Sequence, residues 1–184
     1  MLYRQRLYVQ KRVRFIAGSL TLVSAFILAI AWWVEHRLGI VPCELCLWER
    51  WPWRVLLGIS VLAFLFPSQG GRFFLGICLI LLCVSIGLSA CHVGVEWGWW
   101  SSPLPECHVP YLKGRTVAEL LASMPQFPSK PCDFPTYLIP GVPISMALMD
   151  GLCAGGIGLF ILIFWPSNTS NRGKGDLMSG RITS

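Results

Sequence analysis

Apolar residues in this chain fall in long runs, not in one-sided stripes. Residues 15–34 contain no charged side chain, residues 73–95 only His92 near their end, and residues 144–164 a single acid, Asp150. Each run meets the roughly 20 apolar residues that a helix needs to cross a bilayer. A fourth run, 47–66, is clean only over 55–66. Its first turns carry Glu49, Arg50, Pro52 and Arg54 among Trp48, Trp51 and Trp53, the aromatic surroundings of a membrane–water interface. The pattern predicts an all-α membrane protein, one integral domain over residues 1–184. It is expected to be a four-helix transmembrane bundle whose second span starts at headgroup depth. The first run continues through Trp32, Trp33 and Val34, longer than the core of a cleaved signal, so it is expected to remain as a span.

The polar segments set the orientation. Stretches 1–14, 67–72 and 165–184 hold Arg4, Arg6, Lys11, Arg12, Arg14, Arg72, Arg172, Lys174 and Arg181 against one acid, Asp176. The segments on the other side mix bases and acids almost evenly. The positive-inside rule therefore makes both termini cytoplasmic and places loops 35–46 and 96–143 outside. The net charge of +6 reports this topology, and no nucleic-acid partner is expected. With 54% hydrophobic and 13% charged residues, against roughly 25% charged in soluble domains, a soluble or disordered chain is excluded. Loop 96–143 holds most of the 13 prolines, which argues against a packed sheet there. One piece of it predicts a short amphipathic helix. Thr116 and Glu119 form a T-x-x-E capping box, and Val117, Leu120, Leu121 and Met124 make one apolar stripe. That helix is expected on the membrane surface or on the outer mouth of the bundle.

Topology also sorts the eight cysteines. Cys78, Cys83, Cys91 and Cys153 fall within spans, where a cysteine serves as a small hydrophobe. Cys43, Cys46, Cys107 and Cys132 face the oxidising side, where an even number implies disulfides, with three possible connectivities. Cys43-Glu44-Leu45-Cys46 is a C-x-x-C at the start of a span, with Pro42 suited to the first helical position. A helix N-terminus favours the thiolate that thiol–disulfide exchange requires. Arg50 lies one turn beyond Cys46 on the same face. There it can stabilise a thiolate or hydrogen-bond a carbonyl of an electron acceptor; the alternative is an arginine reaching for headgroups. The C-x-x-C sits near the bilayer surface and the second pair on a loop within reach of a soluble protein. Two such pairs make an exchange relay, and the alternative is two structural staples. A zinc site would need Cys107, His108 and Cys132 as further ligands, at spacings unlike a zinc knuckle, so no metal is expected. Asp150 is read either as an intramembrane functional candidate or as a partly hydrated acid near the outer mouth, and Gly151 with Gly155 as a close-packing face between helices.

The run Pro42-Cys43-Glu44-Leu45-Cys46-Leu47-Trp48-Glu49-Arg50 resembles the P-C-x-L-C-x-x-E/Q-R signature of the DsbB family of bacterial disulfide-bond formation proteins. His92-Val93-Gly94-Val95-Glu96-Trp97 resembles the H-x-G-x-E-W stretch at the end of its third span. Pro103 to Cys107 and Cys132-Asp133 resemble its second-loop cysteines. The resemblance covers most of residues 15–165. It implies a four-helix inner-membrane oxidoreductase that reoxidises a periplasmic, thioredoxin-like DsbA-type protein and reduces ubiquinone or menaquinone. On this likeness Cys107 takes the partner's attack, Cys132 exchanges with Cys43, Cys46 faces the quinone as thiolate, Arg50 orients the quinone, and His92 lies near its pocket. A dedicated thiol partner, or chemistry nearer the vitamin K epoxide reductase type, would keep the same residues. A reading of another class is a non-enzymatic membrane scaffold or metal-binding protein with structural external disulfides.

Overall fold

A computed structural model describes residues 2–68, 70–104, 107, 116–122, 130–138, 141 and 143–166. Among them the chain forms helices α1 (Leu2–Arg37), α2 (Glu44–Leu65), α3 (Gly71–Glu96), α4 (Val117–Ala122) and α5 (Met146–Ile163). The described residues contain no strand, only an isolated antiparallel bridge between Tyr137 and Ser145. Three helices, α1, α3 and α5, are long and apolar enough to cross a membrane. Helix α2 has the length, at 22 residues, but carries Glu44, Glu49, Arg50 and Arg54.

The first helix differs from the expected span. The apolar run begins at Phe15, yet the helix begins at Leu2 and has 36 residues. The basic stretch before Phe15 holds no Gly or Pro and is rich in Arg, Lys, Gln and Leu, all good helix formers. At 1.5 Å per residue α1 is roughly 54 Å long, well beyond the roughly 30 Å hydrocarbon thickness of a bilayer. Its basic end thus projects as helix from the apolar part, with the Arg12 guanidinium 5.0 Å from the Tyr8 ring centroid one turn away.

Helix α1 packs on α2, α2 on α3, and α3 on α5. The shared core is Val13, Ile16 and Leu20 of α1, Trp53 and Leu56 of α2, Leu75, Cys78 and Leu82 of α3, and Ala154 and Ile161 of α5. Val13, Ile16 and Leu20 recur at the three-to-four spacing that lines one helix face. Large apolar residues also point outward, among them Leu22, Phe26, Phe73, Ile80, Leu159 and Ile163. A soluble domain rarely exposes such continuous apolar surface; helices in lipid do. The N-terminus of α3 lies hard against α1, and a Cβ on Gly71 would stand 2.7 Å from Val13 Cγ1.

Several polar side chains inside the bundle find partners on neighbouring turns or helices. Ser24 Oγ donates to the Leu20 carbonyl at 2.7 Å, and the Thr21 and Ser60 hydroxyls meet at 3.0 Å across the α1–α2 contact. Asp150 is the central case, a partly buried acid with more protein partners than the sequence suggests. It accepts from Trp53 Nε1 at 2.6 Å, from Ser85 Oγ at 3.1 Å and from Ser89 Oγ at 2.9 Å. One carboxylate therefore joins α2, α3 and α5. Gly151 beside it packs closely, since a Cβ there would stand 3.1 Å from Ser89 Cβ, whereas Gly155 has open space. Only half of the expected glycine face is a contact.

The capping box has its first bond, with Glu119 N donating to Thr116 Oγ1 at 3.3 Å, and Val117 is exposed. Glu106, His108, Lys113, Arg115, Met124 and the tail with Arg172, Lys174, Asp176 and Arg181 lie outside the described residues.

Asp150→Ala should lower stability by about 2 kcal/mol, because the buried Trp53 N–H loses its acceptor. Asp150→Asn, which can still accept from Trp53, should cost less. Thermal unfolding of the detergent-solubilised variants checks the order.

Candidate redox site

The C-x-x-C is built into the start of α2. Cys43 is the N-cap, with extended backbone (φ −76°, ψ 166°), and its Sγ accepts from Cys46 N at 3.3 Å. The first helical residue is Glu44, so Pro42 stands outside the helix and not at its first position. A sulfur thus fills the capping role that Ser or Asp usually fills. It sits where unpaired N–H groups and the helix dipole favour negative charge. One turn on, Cys46 brings its Sγ to 2.7 Å from that of Cys43.

Helix α3 supplies the rest. His92 Nε2 lies 3.5 Å from Cys43 Sγ, and His92 Nδ1 lies 3.0 Å from Glu49 Oε1. Glu96, one turn beyond His92, brings Oε1 to 3.9 Å from Nε2. The His92, Glu49 and Glu96 side chains are all more than nine-tenths buried, at 4%, 8% and 3% exposure. Cys43, His92 and Glu49 form a chain of sulfur, imidazole and carboxylate in which the carboxylate fixes the ring. The Cys43 thiol is pulled down, first by the hydrogen bond from Cys46 and then by the bond and charge of His92, against the opposing effect of burial. Cys46 is pushed up, by its bond to Cys43 and by burial. Within the reduced pair, the helix N-terminus and His92 both favour negative charge on Cys43. Gly94 keeps this end of α3 closed: a Cβ there would collide with the Trp100 indole, whose Nε1 donates to the Cys91 carbonyl at 3.0 Å.

Cys107 and Cys132 are disulfide-bonded, with Cα atoms 5.0 Å apart. They pack in one buried cluster with Cys43, Leu45 and Val95, and Cys46 and Leu104 border it. The expectation of a pair exposed on a loop is corrected here, since Cys107 is 4% and Cys132 1% exposed. Sulfur is apolar enough to be drawn against Val95 and Leu45. Cys43, Cys46, Cys107 and Cys132 thereby meet in one patch.

On the other side of Cys46 opens a cavity of about 160 Å³. Ile27, Leu28, Ile30 and Ala31 of α1, Met146, Met149 and Cys153 of α5, and Leu138 give it mostly apolar walls. Cys46, Glu49, Arg50, Trp53 and Asp150 add polar atoms. Few polar groups converging on an apolar pocket is the form of a small-molecule site. Arg50 shares the wall with Cys46 as its spacing predicts. One of its nitrogens is held by Glu35 at 2.6 Å; a guanidinium has five N–H donors, so others remain. His92 is not in the wall; it faces Cys43. Sequence reasoning does not find Glu35, nor the pairing of Glu49 with His92, although Glu49 stands one turn beyond Cys46 on the same helix face. Of the other cysteines, Cys78 is in the core, Cys83 and Cys153 are exposed, and Cys91 is half-buried.

Membrane-type helices carrying a buried dithiol against a histidine–carboxylate pair, next to a second disulfide, define a membrane protein of thiol–disulfide chemistry. The family model of the disulfide bond formation protein DsbB matches residues 13–164. The chain belongs to the DsbB family. It is similar to the disulfide bond formation protein B of Marinobacter nauticus, 35% identical over 62% of this chain and 65% of that protein. It also resembles an uncharacterised protein of Rickettsia prowazekii, 27% identical over 86% of this chain and 93% of that one. Disulfide bond formation protein B of Acinetobacter baumannii is 28% identical over 53% of this chain and 55% of its own. The match to the Marinobacter protein thus spans just under two thirds of that relative's length. No solved structure matches. Family membership, with the three span-like helices, makes this a multi-pass membrane protein of the DsbB family.

His92→Ala removes a charge-assisted hydrogen bond worth roughly 1.5–3 kcal/mol to the Cys43 thiolate. The pH midpoint for iodoacetamide alkylation of Cys43 in the reduced protein should rise by about 1 to 2 pH units. Peptide mass spectrometry across a pH series reads it, and an unmoved midpoint would remove His92 from the site.

Proposed function

We propose that this protein is a membrane disulfide oxidase that reoxidises a periplasmic DsbA-type thiol protein and passes the electrons to a membrane quinone. The observation that carries this reading is the position of Cys43 and Cys46 between two neighbours. Cys43 packs in the cluster that holds Cys107 and Cys132, and Cys46 opens on the apolar cavity with Arg50.

The cycle starts with the C-x-x-C oxidised. The partner's thiolate attacks Cys107 and forms a mixed disulfide, releasing Cys132 as thiolate. Cys132 attacks Cys43, and Cys46 leaves as thiolate at the cavity. The partner's second thiol then releases its own disulfide, and the Cys107 thiolate reclaims Cys132. Cys43, freed as thiolate, rejoins Cys46 as the electron pair leaves the protein. A quinone supplies the sink for two electrons and two protons. The cavity suits it, with apolar walls for a flat ring and Arg50 N–H groups for a carbonyl oxygen. Burial of Cys107 and Cys132 means that the second loop must open before a soluble partner reaches the bond. Their burial also favours the second reading, a structural staple.

The same reading takes α2 as the fourth span. Two of its four charges are met inside the protein, Glu49 by His92 and Arg50 by Glu35, which lowers the cost of placing them in lipid. Both termini are then cytoplasmic, α4 lies at the outer membrane surface, and the four cysteines face the periplasm of an inner membrane.

Anaerobic mixing with a reduced thioredoxin-like partner, with and without quinone, tests the proposal. Cys46→Ser should abolish quinone reduction yet still trap the partner on Cys107; quinone turnover by that variant, or a Cys107–Cys132 bond inert to the partner, sinks it. Arg50→Ala should raise the apparent KM for quinone about tenfold, the worth of one charged hydrogen bond, and leave that for the thiol partner unchanged.

A further inference from the structure

The reduced C-x-x-C and the end of α3 bring together more ligand atoms than disulfide exchange uses. Cys43 Sγ, Cys46 Sγ and His92 Nε2 all lie within 4.8 Å of one another. They come from two helices that the core holds in place, so the set does not depend on a loop. His92 is arranged as metal-binding histidines are. Its Nδ1 is bound to the buried Glu49 carboxylate at 3.0 Å, which leaves Nε2 directed at the sulfurs. A further buried carboxylate stands beside the imidazole, outside the three-ligand group. The Glu96 side chain is 3% exposed, with Oε1 3.9 Å from His92 Nε2, and its Oε2 is buried without a hydrogen-bond partner among the described residues. Such an orphaned carboxylate oxygen costs free energy until something binds it.

We propose that the reduced protein binds one thiophilic divalent cation of the zinc type through Cys43, Cys46 and His92, with a fourth position left to solvent or to a movement of the Glu96 side chain. Charge supports it: two sulfurs and two buried carboxylates surround a single imidazole, and a divalent ion offsets that excess. Ligand chemistry sets the class, because two thiolates and an imidazole match Zn²⁺ or Cd²⁺ and not Mg²⁺ or Ca²⁺. Two sulfurs on one tetrahedral ion stand about 3.7 Å apart, given bonds of about 2.3 Å. The present 2.7 Å separation must therefore widen, and Cys46 has the cavity on its free side. The Cys43 to His92 distance of 3.5 Å already suits a shared ion. Oxidation of Cys43 and Cys46 to a disulfide removes two ligands at once, so the site exists only in the reduced state. While the ion is held, neither sulfur is free for exchange. The set differs from the zinc ligands that spacing alone offers, because Cys107 and Cys132 are bonded to each other.

The test needs neither partner nor quinone, so its failure leaves the proposed activity standing. The full-length protein in detergent, anaerobically reduced, is titrated with Cd²⁺ alone. Thiolate-to-cadmium absorbance and cadmium NMR follow binding, and alkylation mapping identifies the protected cysteines. One ion per chain is expected, protecting Cys43 and Cys46, with no such binding once that pair is oxidised. His92→Ala should weaken binding more than tenfold, Glu49→Gln should weaken it less, and His92→Cys, which offers a new thiolate, should restore it. Equal affinity in wild type and His92→Ala would overturn the proposal, since the dithiol alone would then be the ligand. So would protection falling on Cys78, Cys83, Cys91 or Cys153 instead.

Discussion

A polar group inside a lipid-embedded bundle must find its partner within the protein, and Asp150 is where this constraint shapes the whole molecule. Its carboxylate is largely withdrawn from solvent and accepts from the Trp53 indole and the Ser85 and Ser89 hydroxyls. Acid and donors stand on three helices, and satisfying one carboxylate fixes how α2, α3 and α5 meet. The apolar core around Trp53, Leu82 and Ala154 is not directional and would tolerate a slip of register. The hydrogen bonds would not.

The same rule explains the redox site one level up. Glu49 and His92 are costly to bury separately and far less so together. Their pairing at 3.0 Å turns the imidazole toward Cys43, and the helix N-terminus adds its own field to the sulfur. Trp53 and Asp150 also line the cavity below, so the knot that aligns the helices forms a wall of the pocket on which Cys46 opens. Fold and chemistry share residues here, and a substitution at Asp150 should be felt in both.

Much of the site is legible in the chain because its parts lie close in sequence. The C-x-x-C, the arginine one turn later and the helix start are local geometry, readable from a rise of 1.5 Å and 3.6 residues per turn. What local spacing misses comes from distant contacts. The family likeness sets His92 near the quinone pocket, but its ring reaches Cys43 and Glu49, and no spacing along α3 foretells which neighbour it meets. Arg50 falls beside Cys46 as its spacing requires, while its ion pair with Glu35 of α1 depends on the helix crossing. The second cysteine pair is expected in the open because proline-rich loops run on surfaces. Its burial depends on Val95 and Leu45 offering an apolar patch.

By itself the sequence determined the helical membrane character, the apolar runs, the dithiol at a helix start and the likeness to a family. These follow from local hydrophobicity, charge and spacing, which each segment carries alone. Only the tertiary structure decided which buried groups meet. It joined Asp150 to three donors, His92 to Glu49 and Cys43, and Cys43, Cys46, Cys107 and Cys132 to one another. The physical reason is that desolvated polar groups choose partners by position in space, and helices far apart in the chain supply them.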